Sequence, residues 1–161
     1  MYARDTARIA TPVGVITISG DDHELHAITL GGEGEIVAGT AAPVRAAAEQ
    51  LTAWFAGALT TFDLALSAAA SERGAALRSA MVAIPYGDTL SYGALAKVAA
   101  SSARAIGQAC ARNPFPIVVP CHRVLAAGDK PGGFSASGGV RTKLRLLLIE
   151  GAMRGTPGLF D

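Results

Sequence analysis

The stretch "NPFPIVVPCHRVLAAG", residues 113–128, sets a cysteine between a proline and a histidine, directly after a short β-branched run. Pro114, Pro116 and Pro120 each remove a backbone donor and disfavour helix in the residue before them. The segment is therefore expected to run extended and to deliver Cys121 at its end. A free cysteine usually packs as a small hydrophobe, and Cys110, on the apolar side of a helical run, reads that way. Cys121 does not. Pro120 contributes no amide hydrogen beside it, and His122 and Arg123 both favour a thiolate electrostatically, which suits a nucleophile better than a buried sulfur.

Upstream, "SYGALAKVAASSARAIGQACARNP" (residues 91–114) contains two short apolar-periodic runs separated by Ser101-Ser102. That spacing fits a helix-turn-helix, a motif also common in proteins that never touch DNA. Asn113, just before Pro114, reads either as a helix stop or as a bridge from the second helix to the cysteine turn. Further upstream, "SERGAALRSAMVAIPYG" (71–87) has Ser71 as N-cap and Glu72 in the first turn, and it stops at Pro85 and Gly87. Downstream, the glycine-rich "AAGDKPGGFSASGG" (126–139) leads into a last helix, "GVRTKLRLLLIEGA" (139–152). Val140, Leu144, Leu147 and Leu148 mark its expected buried side. Arg141, Lys143 and Arg145 oppose the helix dipole near its start, which points to a use outside folding. Glu150 is the lone carboxylate of that helix and lies at its electrostatically disfavoured end, so a specific partner is expected. His122 is the candidate, and the two would complete a thiol, imidazole and carboxylate chain.

The first part of the chain reads differently. "ARIATPVGVITISG" (7–20) alternates around Thr11-Pro12-Val13-Gly14 as a hairpin, and "ELHAITLG" (24–31) supplies a third strand. "APVRAAAEQLTAWFAGAL" (42–59) carries Val44, Ala47, Leu51 and Trp54 at helical spacing, and "TTFDLAL" (60–66) reads as another short strand. No ligand or nucleophile cluster appears here. Charge also divides along the chain. Residues 1–77 hold four basic against nine acidic side chains, a net of −5, and residues 78–161 hold ten against four, a net of +6. Either the second half meets a polyanion or the two halves attract one another.

With 161 residues and 50% hydrophobic content the chain can bury a core. No apolar run reaches the length of a bilayer span and the N-terminus lacks a signal-peptide pattern, so a soluble cytoplasmic protein without membrane partners is expected. Cys110 and Cys121 cannot form a disulfide framework. With His23, His26 and His122 they match no zinc spacing, so neither a metal nor another cofactor is expected.

"PCHRV" at 120–124, preceded by "RNPFPIVV", resembles the active-site signature of the O6-alkylguanine-DNA alkyltransferases, also called methylated-DNA–protein-cysteine methyltransferases. The resemblance extends through "IPYGDTLSYGALA", "ARAIGQACARNP", the "GGFS" loop and "LLLIEGA". It implies an α+β chain: a small ribonuclease H-like supporting domain over 1–68, then a mainly helical, winged-helix-like DNA-binding domain with a helix-turn-helix over 69–161. It implies that a monomer acts on double-stranded DNA carrying O6-alkylguanine, or O4-alkylthymine, and that Cys121 takes the alkyl group irreversibly. By the same resemblance His122 removes the thiol proton through a water, Glu150 orients His122, and Tyr92 donates to N3 of the departing guanine. The amide of Ser135 reaches O6, and the carbonyls of Cys121 and Val124 accept from the exocyclic amine. Arg104 is the finger that fills the gap left by a flipped base, with small Ala103 and Gly107 beside it, and Arg112 and Arg123 are phosphate contacts or internal ion pairs. Phe134 stands where a tyrosine is frequent, and Cys110 where some relatives set a larger side chain against the base. The rival readings are a lesion-binding protein without transfer, which the presence of Cys121 opposes, and a cysteine hydrolase.

Overall fold

The computed structural model describes residues 4–134, 136 and 138–152. The chain divides into two compact units, one ending at Ala68 and the other beginning at Ala69.

In the first unit the alternating segments form β1 (Asp5–Thr11), β2 (Gly14–Gly20) and β3 (Leu25–Gly32), an antiparallel sheet in the order β1-β2-β3. The β1–β2 turn lies at Pro12-Val13, with Thr11 opposite Gly14. Apolar side chains of the sheet, among them Ala7, Ile16, Ile18 and Ile28, are buried with Val44, Ala47, Leu51 and Trp54 of α1 (Ala42–Phe55). This helix stops at Phe55 rather than running on to Leu59, and Gly57 takes a left-handed φ of +76° just beyond it. "TTFDLAL" is not a strand. Both polar backbone groups of Asp63 are taken by the Gln50 side chain of α1, at 2.9 and 3.0 Å, and only Leu66 makes a bridge, to Leu25. The N-cap residue of α1 is Ala41, which has no capping side chain; the amides of Thr40 and Ala41, just ahead of the helix, donate to Asp5 Oδ2 at 2.7 Å each and tie the helix entry to β1.

The second unit opens with α2 (Glu72–Val82), capped by Ser71 as its sequence indicates. After β4 (Leu90–Ser91) come α3 (Tyr92–Val98) and α4 (Ala103–Ala111), capped by Ser91 and Ser102 and packed on one another as a helix-turn-helix. Ala100 in the turn between them has a φ of +51°. Residues 113–120 form a wound loop rather than an extended segment. Val119 N–H donates to Phe115 O at 2.8 Å, and Ile117 sits in the left-handed region at φ +75°. Asn113 holds this loop from inside, its Nδ2 donating to Val119 O at 2.8 Å and its Oδ1 accepting from Phe115 N–H at 2.9 Å. A single 3-10 turn, Cys121–Arg123, follows, then β5 (Val124–Leu125), which pairs parallel to β4, a second 3-10 turn at Ala127–Asp129, and α5 (Gly139–Ile149).

The buried stripe of α5 is rotated from the one expected. Thr142, Lys143, Leu144, Leu146 and Leu147 face inward, whereas Val140 and Leu148 are exposed. Lys143 can take an inward position because backbone carbonyls receive its ammonium.

The Asp5 carboxylate yields a pH-dependent prediction. Burial raises the Asp5 pKa, but the Ala41 and Thr40 amides outweigh it and leave the group below the usual aspartate value. A group so depressed stabilises the fold above its unfolded pKa, and that contribution disappears as pH falls through the folded value. Asp5→Ala is expected to cost about 1 kcal/mol at pH 7, the order of losing hydrogen bonds that hold the loop ahead of α1. Urea denaturation should show the difference from the parent shrinking toward pH 3.

Candidate active site

The 3-10 turn after Pro120 turns Cys121, His122 and Arg123 into the interior together, and all three are buried. Cys121 is 4% exposed. Burial pushes its thiol above the ordinary cysteine value, and the Asn113 side chain, the charge of Lys143 and the amides of Cys121 and His122 offset this only in part. The expectation that flanking cations favour a thiolate is thus corrected for the resting state: desolvation wins and the sulfur carries its proton. Asn113 both ends the α4 segment and bridges to the cysteine loop, so its two alternative readings hold together.

His122 Nε2 lies 3.1 Å from Glu150 Oε1, with both side chains fully buried. Glu150, at the C-cap of α5, is also gripped by Arg123, whose Nε lies 2.9 Å from Oε1 and whose Nη2 lies 2.5 Å from Oε2. Arg123 Nη1 donates to Ile84 O at 2.7 Å, and the guanidinium lies over the Tyr86 ring. This corrects the placing of Arg123 among DNA contacts. Its donors are engaged inside the protein, and of the two roles left open for it the structure has the internal ion pair. Burial raises the Glu150 pKa, but hydrogen bonds from His122 and Arg123 more than reverse that and leave the carboxylate ionised. Burial lowers the His122 pKa, and Glu150 restores only part of the loss, so the imidazole is neutral at physiological pH.

Around this cluster stand Tyr92 at the start of α3 and Cys110 on α4. Burial, and then the two cysteines, raise the Tyr92 pKa, so the phenol keeps its proton. A Cβ on Gly132 would come within 3.1 Å of the Tyr92 ring, so this glycine lets the loop approach the tyrosine closely. The Cys110 thiol is pushed up to about 12, chiefly by burial, and its Sγ lies 3.7 Å from Met81 Sδ, consistent with packing. The Val124 carbonyl already accepts from Lys143 Nζ at 2.6 Å. Phe134 is half-buried in the glycine-rich loop, and Ser135 lies outside the described residues. Arg104, Ala103 and Arg112 are exposed on or just after α4, and a Cβ on Gly107 would meet open space, so these four occupy a separate, solvent-facing surface.

Sequence reasoning missed Lys143 as a member of the site. The signal was available, because Lys143 and Glu150 are seven residues apart and so share one face of α5.

Two family models match this chain. The 6-O-methylguanine DNA methyltransferase ribonuclease-like domain covers residues 6–68, and the DNA binding domain of the same name covers residues 74–152. A methylated-DNA–protein-cysteine methyltransferase of Mycolicibacterium paratuberculosis is 40% identical over 155 residues, 88% of this chain and 89% of the relative. One from Methanosarcina acetivorans is 36% identical over 88% of this chain and 95% of its own length. Among solved structures, Mycobacterium tuberculosis OGT in complex with DNA superimposes with a TM-score of 0.78 at 33% identity, covering 96% of this chain and 98% of that one.

The buried cluster makes the fold acid-sensitive. Glu150 is depressed, so its contribution is lost as pH falls through its folded value. His122 is depressed too, so below its usual value of 6.5 the unfolded chain binds a proton that the folded one refuses. Stability is expected to decline from pH 7 to pH 5 in denaturant titrations. Arg123→Met, which leaves a buried carboxylate without its bidentate partner, is expected to cost about 3–5 kcal/mol. Arg112→Ala, at an exposed position, should change stability by less than about 0.5 kcal/mol.

Proposed function

The chain belongs to the 6-O-methylguanine DNA methyltransferase family, and we propose that Cys121 is the residue through which it repairs DNA. The protein acts by direct reversal, taking an alkyl group from damaged DNA onto a cysteine of its own. The observation that carries the assignment to Cys121 is its place next to His122, whose Nε2 faces a buried, ionised Glu150 at 3.1 Å.

The chemistry follows from these groups. His122 is neutral and therefore able to accept the thiol proton, directly or through a water, and the Glu150 charge stabilises the imidazolium that results. Cys121 Sγ attacks the alkyl carbon on O6 of guanine. A C–S bond forms, the C–O6 bond breaks, and its electron pair stays on the purine. Tyr92, kept protonated by its surroundings, donates toward the base as that negative charge develops. In the net reaction the thiol proton replaces the alkyl group on guanine. The thioether has no route back to the thiol, so each molecule acts once.

The reactive carbon lies within the base stack, so the nucleotide must leave the duplex to reach Cys121. Arg104, exposed on α4 beside Ala103 and Gly107, is the side chain assigned to fill the vacated space, and Arg112 is assigned to the phosphates. Cys110 and Phe134 are assigned to the base pocket, with the carbonyls of Cys121 and Val124 and the amide of Ser135 as its polar contacts. Residues 1–68 support the transfer domain at 69–161. The working form is a cytoplasmic monomer on double-stranded DNA carrying O6-alkylguanine.

Intact-protein mass spectrometry after incubation with a duplex containing O6-methylguanine should show one methyl group added per molecule, mapped to Cys121. Cys121→Ser should bind the same duplex and gain nothing. Repeated turnover, or methylation at another residue, contradicts the assignment. Arg104→Ala should slow transfer from duplex by about tenfold, the order expected when base extrusion loses its plug. Transfer from the free O6-alkylated base, which needs no extrusion, should be unaffected.

A further inference from the structure

Lys143 is fully buried, at 0% exposure, near the middle of α5. A buried ammonium without a counter-ion is costly. Among the side chains the structure describes, which do not include that of Asp129, no carboxylate lies within ion-pair distance of its Nζ. Two of its three N–H groups are used: one donates to Val124 O at 2.6 Å and one to Gly133 O at 3.2 Å. Those carbonyls flank the cysteine turn on one side and the glycine-rich loop on the other, and the ammonium also lies 5.7 Å from the centre of the Tyr92 ring. The third N–H has no acceptor among the described backbone and side-chain groups.

The charges around it explain why a cation is kept there. Arg123 is matched by Glu150, and His122 is neutral, so neither presents a net positive charge to Cys121. The titratable groups that face Lys143 are Cys121 and His122 from the 3-10 turn, Cys110 from α4 and Tyr92 from α3. Of these, Cys121 is the one whose reaction requires it to become an anion.

We propose that Lys143 is the cation that stabilises the Cys121 thiolate, a positioning residue fixed in place by the Val124 and Gly133 carbonyls. This deepens the reading of Cys121 as the acceptor and rests on it. Lys143 keeps its proton throughout; the thiol proton goes to His122 and finally to the repaired base. Its charge acts on the ionised sulfur and not on the resting thiol, so it favours the reactive state selectively.

The test uses a small electrophile, so that it does not depend on DNA binding or base flipping. The rate of Cys121 alkylation by iodoacetamide is followed against pH by mass spectrometry in the parent, Lys143→Met and Lys143→Arg, with folding checked by circular dichroism. Lys143→Met should move the pH midpoint of reactivity upward by about one unit or more, a tenfold loss at pH 7, and Lys143→Arg should recover part of it. A folded Lys143→Met protein with an unchanged midpoint overturns the proposal, whatever its stability. If the methionine variant does not fold, the reciprocal measurement decides. NMR titration of the Lys143 ammonium, followed through the pH range in which the parent thiol ionises, should give a lower pKa in Cys121→Ser than in the parent. An identical Lys143 titration with and without the Cys121 sulfur overturns the proposal. Loss of transfer from O6-methylguanine DNA with the iodoacetamide profile intact would instead count against the DNA-repair reading.

Discussion

The second unit is organised around one buried carboxylate. Glu150 sits at the end of α5, the place where a negative charge is least welcome on a helix, and it is held there by the Arg123 fork and the His122 ring. Arg123 continues the connection to Ile84 O and the Tyr86 ring, and the Tyr86 hydroxyl donates to Ile149 O at 3.4 Å. The segment after α2, the cysteine turn and the end of α5 are thereby joined through charged groups out of contact with water. Such a cluster adds little net stability over an apolar core, but breaking it leaves an unpaired buried charge. Its contribution is therefore to fix the orientation of the imidazole.

The same burial sets the reactivity. A protein that is consumed by one alkylation gains from a sulfur that is inert until the correct carbon is in place. At rest, desolvation keeps Cys121 protonated, keeps Tyr92 as a donor and keeps His122 neutral. All three protonation states are the ones that the proposed transfer requires at its start. Asn113 and Lys143 act on the sulfur from opposite sides of the sequence, one from the end of α4 and the other from α5. Polar groups that lower the cost of ionisation are thus built into a site that otherwise resists it.

Much of this was legible in the residues. Periodicity located the three strands, α1 and the helix-turn-helix, and Ser71 caps α2 as its position indicated, while the caps at Ser91 and Ser102 came to light only in the structure. The pairing of His122 with Glu150 followed from an electrostatic oddity, an acid at the wrong end of a helix. What failed did so for tertiary reasons. "TTFDLAL" has strand-like residues, but the Gln50 side chain takes the backbone groups of Asp63. The prolines of 113–120 suggested extension, whereas the Asn113 side chain winds the loop. Arg123 reads equally as a phosphate contact or an internal ion pair, because its neighbours in sequence do not show that Glu150 will face it.

The proposed transfer depends most on the state of one imidazole, which must be neutral and must direct Nε2 at Glu150 so that Nδ1 is the basic atom. Nitrogen NMR of ring-labelled His122 tests this directly. The expected result is a single neutral tautomer, protonated at Nε2, that persists from pH 8 down to the point where the fold is lost. An imidazolium signal at neutral pH, or a neutral ring protonated at Nδ1, contradicts it.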